Sequence, residues 1–202
     1  VYTGNPRSEE ILMIDKVSKS KYGFSSYKKL VLIVMGSLGS TTMTQKLKEA
    51  IGKFRGKNYQ VLVITGKAYY DEYKELDIPD NVKLLPYTEE LIQIMKDTDL
   101  MVSRAGASTI SEITGIGLPS ILVPSPYVTH NHQYLNAKEL EDAGACTILE
   151  EKDFSGDALC QKIDSILSDK HVYLSMKKAS QSFGIKDSLT KIYQEILKLV
   201  GE

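Results

Sequence analysis

Two stretches of this 202-residue chain combine glycines, hydroxyls and a helix start in the way an anionic ligand needs. Gly36 to Ser40 reads GSLGS, and Ser103 to Thr109 reads SRAGAST. Each follows an apolar run and precedes a segment of helical spacing. Amides left free at a helix N-terminus attract phosphate, and glycine lets the backbone come close to it. GSLGS lacks the Gly-Lys-Ser/Thr ending of a P-loop and does not match the dinucleotide fingerprint. It reads either as a tight turn or as a bed for a diphosphate. In the second stretch, Thr109 and Glu112 have the spacing of a capping box, which satisfies amides without any ligand. The alternative is that the Glu112 carboxylate accepts paired hydrogen bonds from a ribose diol. Spacing leaves both readings open.

Five polar residues, His130, Asn131, His132, Gln133 and Asn136, crowd a further helix start. Histidines two apart do not share a helical face, which argues against a metal site. Amides and an imidazole there suit sugar hydroxyls. His171, isolated in the helical tail, reads as a surface or packing residue.

These junctions require strands that end along one edge. Leu30 to Met35 is the apolar, β-branched-rich run of a strand covered on both faces. Met43, Leu47, Ala50, Ile51 and Phe54 then fall at helical spacing. Further strands are expected at Val61–Thr65, Val82–Leu85, Leu100–Ser103, Ser120–Val123 and Cys146–Leu149. Helices are expected at Tyr69–Leu76, from Thr88, at Thr109–Ile116 and from about Asn131 to Ala143. Thr88 reads as a cap, with Glu89 and Glu90 in the first turn that follows. This alternation predicts an α/β fold, a Rossmann-like doubly wound parallel sheet. Helices close the chain, with an apolar stripe on Leu189, Ile192, Tyr193, Ile196, Leu197 and Val200.

The totals narrow the function. Lys and Arg number 25 against 26 Asp and Glu, a net charge of −1, so no surface for nucleic acid is expected. Two cysteines, Cys146 and Cys160, make no disulfide framework and suit a reducing compartment. The longest apolar run is too short to span a bilayer. The chain opens on Val1 in what reads as a strand end running into a turn, and it is expected to be a piece of a longer protein.

Five blocks, TGNPR (3–7), GSLGS (36–40), SRAGASTISEI (103–113), GLPSILVPSP (117–126) and NHQYLNA (131–137), together resemble the MurG family across nearly the whole chain. That family comprises bacterial N-acetylglucosaminyltransferases that turn lipid I into lipid II in peptidoglycan synthesis. The resemblance implies a two-domain GT-B glycosyltransferase of which this chain is the C-terminal, donor-binding half. Residues 1–17 are then interdomain linker and first helix, 18–168 the UDP-sugar-binding domain, and 169–202 its C-terminal helices. UDP-GlcNAc is the implied donor substrate, with no cofactor and no metal. Lipid I and the membrane would be met through the N-terminal half. The full-length protein is expected in the cytoplasm, peripheral on the inner face of the cell membrane.

The resemblance also implies residue roles. Arg7 matches a linker arginine near the nucleotide, and Ser37 a serine on the donor phosphates. Tyr87 and Thr88 match the segment beside uracil, with Leu91 one turn on. Ala107, Ser108 and Thr109 match the helix start under the phosphates, and Glu112 the ribose-binding glutamate. His132 and Gln133 match the pair facing N-acetylglucosamine. No catalytic residue is expected here, because the base belongs to the N-terminal half, so this chain alone is expected to be inactive. The implied reaction is inverting: the acceptor hydroxyl attacks the anomeric carbon while helix amides stabilise departing UDP. Two alternatives stand beside it, a UDP-GlcNAc 2-epimerase-like enzyme and a non-catalytic donor-binding subunit that needs a partner chain.

Overall fold

The computed structural model describes residues 1, 3–35, 41–185 and 187–200. Six strands pair in parallel: β1 (Lys29–Val34), β2 (Tyr59–Ile64), β3 (Val82–Leu85), β4 (Leu100–Ser103), β5 (Ser120–Leu122) and β6 (Cys146–Ile148). Their spatial order is β3-β2-β1-β4-β5-β6. The helices are α1 (Arg7–Leu12), α2 (Thr41–Ile51), α3 (Tyr70–Lys74), α4 (Leu91–Met95), α5 (Ala107–Ile116), α6 (His132–Asp142), α7 (Gly156–Ser168), α8 (Lys170–Phe183) and α9 (Ser188–Val200).

Period-2 alternation along β1 feeds two cores, one on each face of the sheet. Val31, Ile33 and Met35 pack with Met43, Leu47 and Ile51 of α2 and with Leu159 and Ile163 of α7. Leu30 and Leu32 pack with Ile92 and Met95 of α4, Ile113 of α5 and Leu140 of α6. Each such side chain contributes about 1.5–3 kcal/mol on burial. The central strand is therefore apolar at every inner position, as its sequence predicts.

The order reverses at β1. The chain runs outward through β2 and β3, then returns to place β4 on the other side of β1, with Val34 beside Ser103 at the carboxyl end. Such a reversal opens a crevice at the strand ends, where ligands of open α/β sheets bind.

Further contacts fix the helices around the sheet. Gly115 lets α1 lie directly on α5: a Cβ there would sit 3.4 Å from the Ser8 carbonyl oxygen. Gly117 then ends α5 with a φ of +74°, its N–H and that of Leu118 both donating to the Ile113 carbonyl, a turn that glycine makes at least cost. At the far end of the chain, α9 rests against α1, and Glu9 accepts from the N–H of Leu189 (2.8 Å). The stripe read on α9 faces outward instead of into a core: Leu189, Tyr193, Ile196 and Val200 are exposed, and Ile192 and Leu197 half-buried.

Candidate functional site

After β1 the chain enters residues 36–40, so GSLGS and Ser37 lie outside the described residues. After β4 it turns through Arg104 to Gly106 and enters α5 at Ala107. The N-cap is Gly106, and among the described residues no side chain caps this helix. Helix geometry leaves the amides of Ala107, Ser108 and Thr109 without an intrahelical acceptor. The Ile110 N–H is the first to bond back, to the Gly106 carbonyl at 2.9 Å. Thr109 is thus the third residue of the helix and not its cap, which overturns the capping-box reading of Thr109 and Glu112.

Beside this helix start lies a cleft of about 640 Å³, lined by Val34, Ile64, Gly66, Lys67, Pro86, Tyr87, Thr88, Leu91 and Thr109. It occupies the carboxyl ends of β1, β2 and β3. Thr88 is not the cap of the following helix either. Its Oγ1 accepts from the Glu90 N–H at 3.0 Å, closing a local turn, while α4 begins only at Leu91 with no side-chain cap. Glu90 is committed elsewhere: it accepts from Lys21 Nζ and from Tyr22 Oη, both at 2.7 Å. These bonds hold its carboxyl below the usual range, while burial and then Glu90 push the Tyr22 hydroxyl up to about 12.

Glu112 follows Thr109 by three residues and shares its helical face. Its side chain is 13% exposed, and Arg7 Nε stands 3.3 Å from Oε1. Burial raises the Glu112 carboxyl, and the Arg7 guanidinium pulls the other way. The close packing of α1 on α5 at Gly115 is what brings Arg7 there. Only Nε faces Glu112, and Nη1 lies 3.3 Å from Glu10.

After β5, α6 begins with its own irregularity. His130 and Asn131 take φ values of 54° and 51°, a region that costs L-residues roughly 1–2 kcal/mol each. Asn131 is the N-cap, and no side chain caps α6. His132 is exposed, with Nδ1 3.0 Å from the Thr129 carbonyl. Gln133 Oε1 accepts from the Ser125 N–H at 2.9 Å, and among the described residues its NH₂ group has no partner. Asn136 Nδ2 donates to the Ala105 carbonyl at 3.2 Å, tying α6 to the entry of α5.

Tyr87, Thr88, Leu91 and Thr109 therefore share one cleft, Ala107 and Ser108 stand at the adjoining helix start, Arg7 pairs with Glu112, and His132 and Gln133 hold the start of α6. Sequence reasoning missed Lys67, whose Nζ sits 4.7 Å over the Tyr87 ring in the same cleft; its place directly after the glycine that follows β2 is the available signal. It also missed Arg104 and Glu151, a buried ion pair 47 positions apart in the chain with no spacing to announce it. Among the described residues no helix is long and apolar enough to cross a membrane, and no three His, Cys, Asp or Glu side chains gather as a metal site.

A parallel sheet wound on both faces in this strand order, with the start of α5 at the reversal, is the architecture of the C-terminal domain of GT-B glycosyltransferases. The chain belongs to the family described as glycosyltransferase family 28 C-terminal domain, whose pattern matches residues 30–192. A protein of Bacillus cytotoxicus named UDP-N-acetylglucosamine--N-acetylmuramyl-(pentapeptide) pyrophosphoryl-undecaprenol N-acetylglucosamine transferase is 42% identical over 205 aligned positions, covering 99% of this chain and 56% of that protein. The chain thus spans little more than half the length of that relative. Among solved structures, Acinetobacter baumannii MurG superposes with a TM-score of 0.76 at 24% identity, over 89% of this chain and 52% of its own. A putative UDP-N-acetylglucosamine 2-epimerase of Listeria monocytogenes reaches 0.72 at 14%, over 98% of this chain and 53% of its own. At these identities the two superpositions carry the fold alone.

Proposed function

We propose that this chain is the donor-binding part of an enzyme that transfers N-acetylglucosamine from UDP-GlcNAc to lipid I, forming lipid II in peptidoglycan synthesis. The observation that carries the reading is the 42% identity along 99% of the chain to a relative whose name states that transfer. The geometry supports it. Uracil lies in the cleft beside Tyr87 and Thr88, where backbone groups at a strand end can pair with its imide edge, and Leu91 closes the apolar side. The diphosphate meets the uncapped start of α5 at Ala107, Ser108 and Thr109; the family resemblance adds Ser37, which lies outside the described residues. The Glu112 carboxylate accepts from the ribose hydroxyls, with Arg7 beside it. The sugar faces His132 and the free NH₂ of Gln133.

Charge explains the chemistry assigned to this half. Breaking the anomeric bond leaves UDP with an additional negative charge, and fixed amides at a helix start stabilise it without reorganisation. No cofactor is required by this scheme. The acceptor, its base and contact with the inner face of the membrane belong to the remainder of the full-length protein, so the 202-residue chain binds donor and does not turn it over. The test is an assay of the full-length protein with UDP-GlcNAc and lipid I. Formation of the disaccharide lipid is expected; release of an epimerised sugar in its place would favour the epimerase-like reading, and activity appearing only on addition of a second chain would favour the subunit reading.

A further inference from the structure

The β4–β6 end of the carboxyl edge holds a buried ion pair that the proposed scheme leaves unused. Arg104 Nη2 lies 2.7 Å from Glu151 Oε2, and the side chains are 11% and 5% exposed. The same guanidinium donates from Nη1 to the Val123 carbonyl at 3.2 Å. Val123 in turn donates its N–H to the Ser103 carbonyl at 2.7 Å. Lys46 of α2 donates to the Glu151 carbonyl from the opposite side. One arginine and one glutamate thus tie the ends of β4 and β5, the turn after β6, and α2.

Stability does not account for this pair. A buried ion pair rarely outperforms apolar side chains of the same volume, because desolvation offsets its attraction. Here, among the described residues, the Glu151 carboxylate meets a single cation, Arg104, whose Nη2 stands 2.7 Å from Oε2, and no further donor is aligned on either oxygen. What the pair does fix is direction, through the rigid fork of the guanidinium. Val123 opens the 124–131 loop, Ser125 in that loop holds Gln133 by its N–H, and Asn136 holds Ala105 directly after Arg104. An unbroken line of contacts runs from Glu151 to the residue assigned to the sugar.

We infer that Arg104, anchored by Glu151, is a positioning residue that sets the 124–133 segment, and with it Gln133, for the sugar of the donor. The inference rests on the UDP-sugar reading above. It assigns Arg104 no contact with the nucleotide.

The experiment is calorimetric titration of the 202-residue chain with UDP and with UDP-GlcNAc, alongside thermal unfolding, for wild type, Arg104→Met, Arg104→Lys and the double variant Arg104→Met/Glu151→Met. The double variant removes both charges and so guards against a single variant that fails to fold. UDP affinity should stay within about twofold, as for a site coupled only weakly. The ratio of UDP to UDP-GlcNAc dissociation constants should fall about tenfold in Arg104→Met and in the double variant, the scale of one lost hydrogen bond. Arg104→Lys, which keeps charge and loses the fork, should not restore it. A ratio unchanged in the folded double variant overturns the positioning role while leaving the UDP-sugar reading intact. Equal weakening of both ligands overturns it as well, as a merely structural effect. A wild-type ratio of one overturns the sugar placement itself and this inference with it.

Discussion

Among the described residues, the long helices start in two different ways. Away from the crevice their first amides are met by side chains. Ser155 accepts from the Ala158 N–H at the start of α7, which begins against Ala50 and Lys53 near the end of α2. Asp169 accepts from His171 and Val172 at the start of α8, and Glu9 of α1 accepts from Leu189 at the start of α9. At the carboxyl edge, among the described residues, α5 and α6 have no side-chain cap, and α5 has glycine where α7 and α8 carry a hydroxyl and a carboxylate. A side-chain cap stabilises a helix by about 1 kcal/mol, so the bare start of α5 at the strand-order reversal, and that of α6 one strand further out, forgo stability where a diphosphate could supply the missing acceptors. Under the proposed reading, this difference among the long helices marks the edge that takes the ligand.

The contrast can be broken most forcefully at Gly106. Its φ of −70° and ψ of 148° suit any residue, and a Cβ there meets nothing closer than Thr109 Oγ1 at 4.0 Å. Gly106→Asp should therefore cap α5 and raise the urea midpoint, while its carboxylate repels diphosphate and weakens UDP binding about 100-fold or more in calorimetry. Gain of stability together with loss of ligand is the signature sought. A variant that binds UDP as well as wild type would show that the α5 amides are not used.

Glu112→Ala should weaken UDP about 10- to 100-fold, the range for charge-assisted hydrogen bonds. Its cost in stability should be small, because Arg7 is 48% exposed and water screens the pair. Away from the crevice, Ser155→Ala and Asp169→Ala should each lose about 1 kcal/mol of stability in urea unfolding with no change in UDP affinity. The smallest effect concerns pH. Burial raises the Glu112 carboxyl above its usual 4.5, with Arg7 opposing. In the free protein this favours the protonated form, so its contribution to stability is present below the unfolded value and lost as pH rises through the folded one. The ribose hydroxyls need the ionised form. UDP affinity should therefore decline a few-fold as pH falls from 7 toward 4.5, and Glu112→Gln should show a flatter profile.

Much of the sheet could be read from the chain, because β1 and β2 are apolar on both faces and each is closed by glycine or a polar turn. Helix starts could not. Thr88 and Thr109 look like caps in sequence, but a threonine closes a two-residue turn or sits inside the first helical turn equally well, and packing decides which. The spacing of Glu112 from Thr109 was visible; its partner Arg7, 105 positions away, depended on how closely α1 approaches α5 at Gly115. Arg104 stood in a stretch singled out for its glycines and hydroxyls, but the acid that anchors it comes from beyond β6. The stripe on α9 was visible, and its outward direction follows only from where α1 leaves room.

The most direct measurement is a crystal structure of the chain with UDP-GlcNAc. The account predicts uracil in the cleft beside Tyr87 and Thr88, both ribose hydroxyls on the Glu112 carboxylate, and phosphate oxygens on the amides of Ala107 to Thr109. Nucleotide bound elsewhere, with the start of α5 bare and Glu112 still paired only to Arg7, would contradict it.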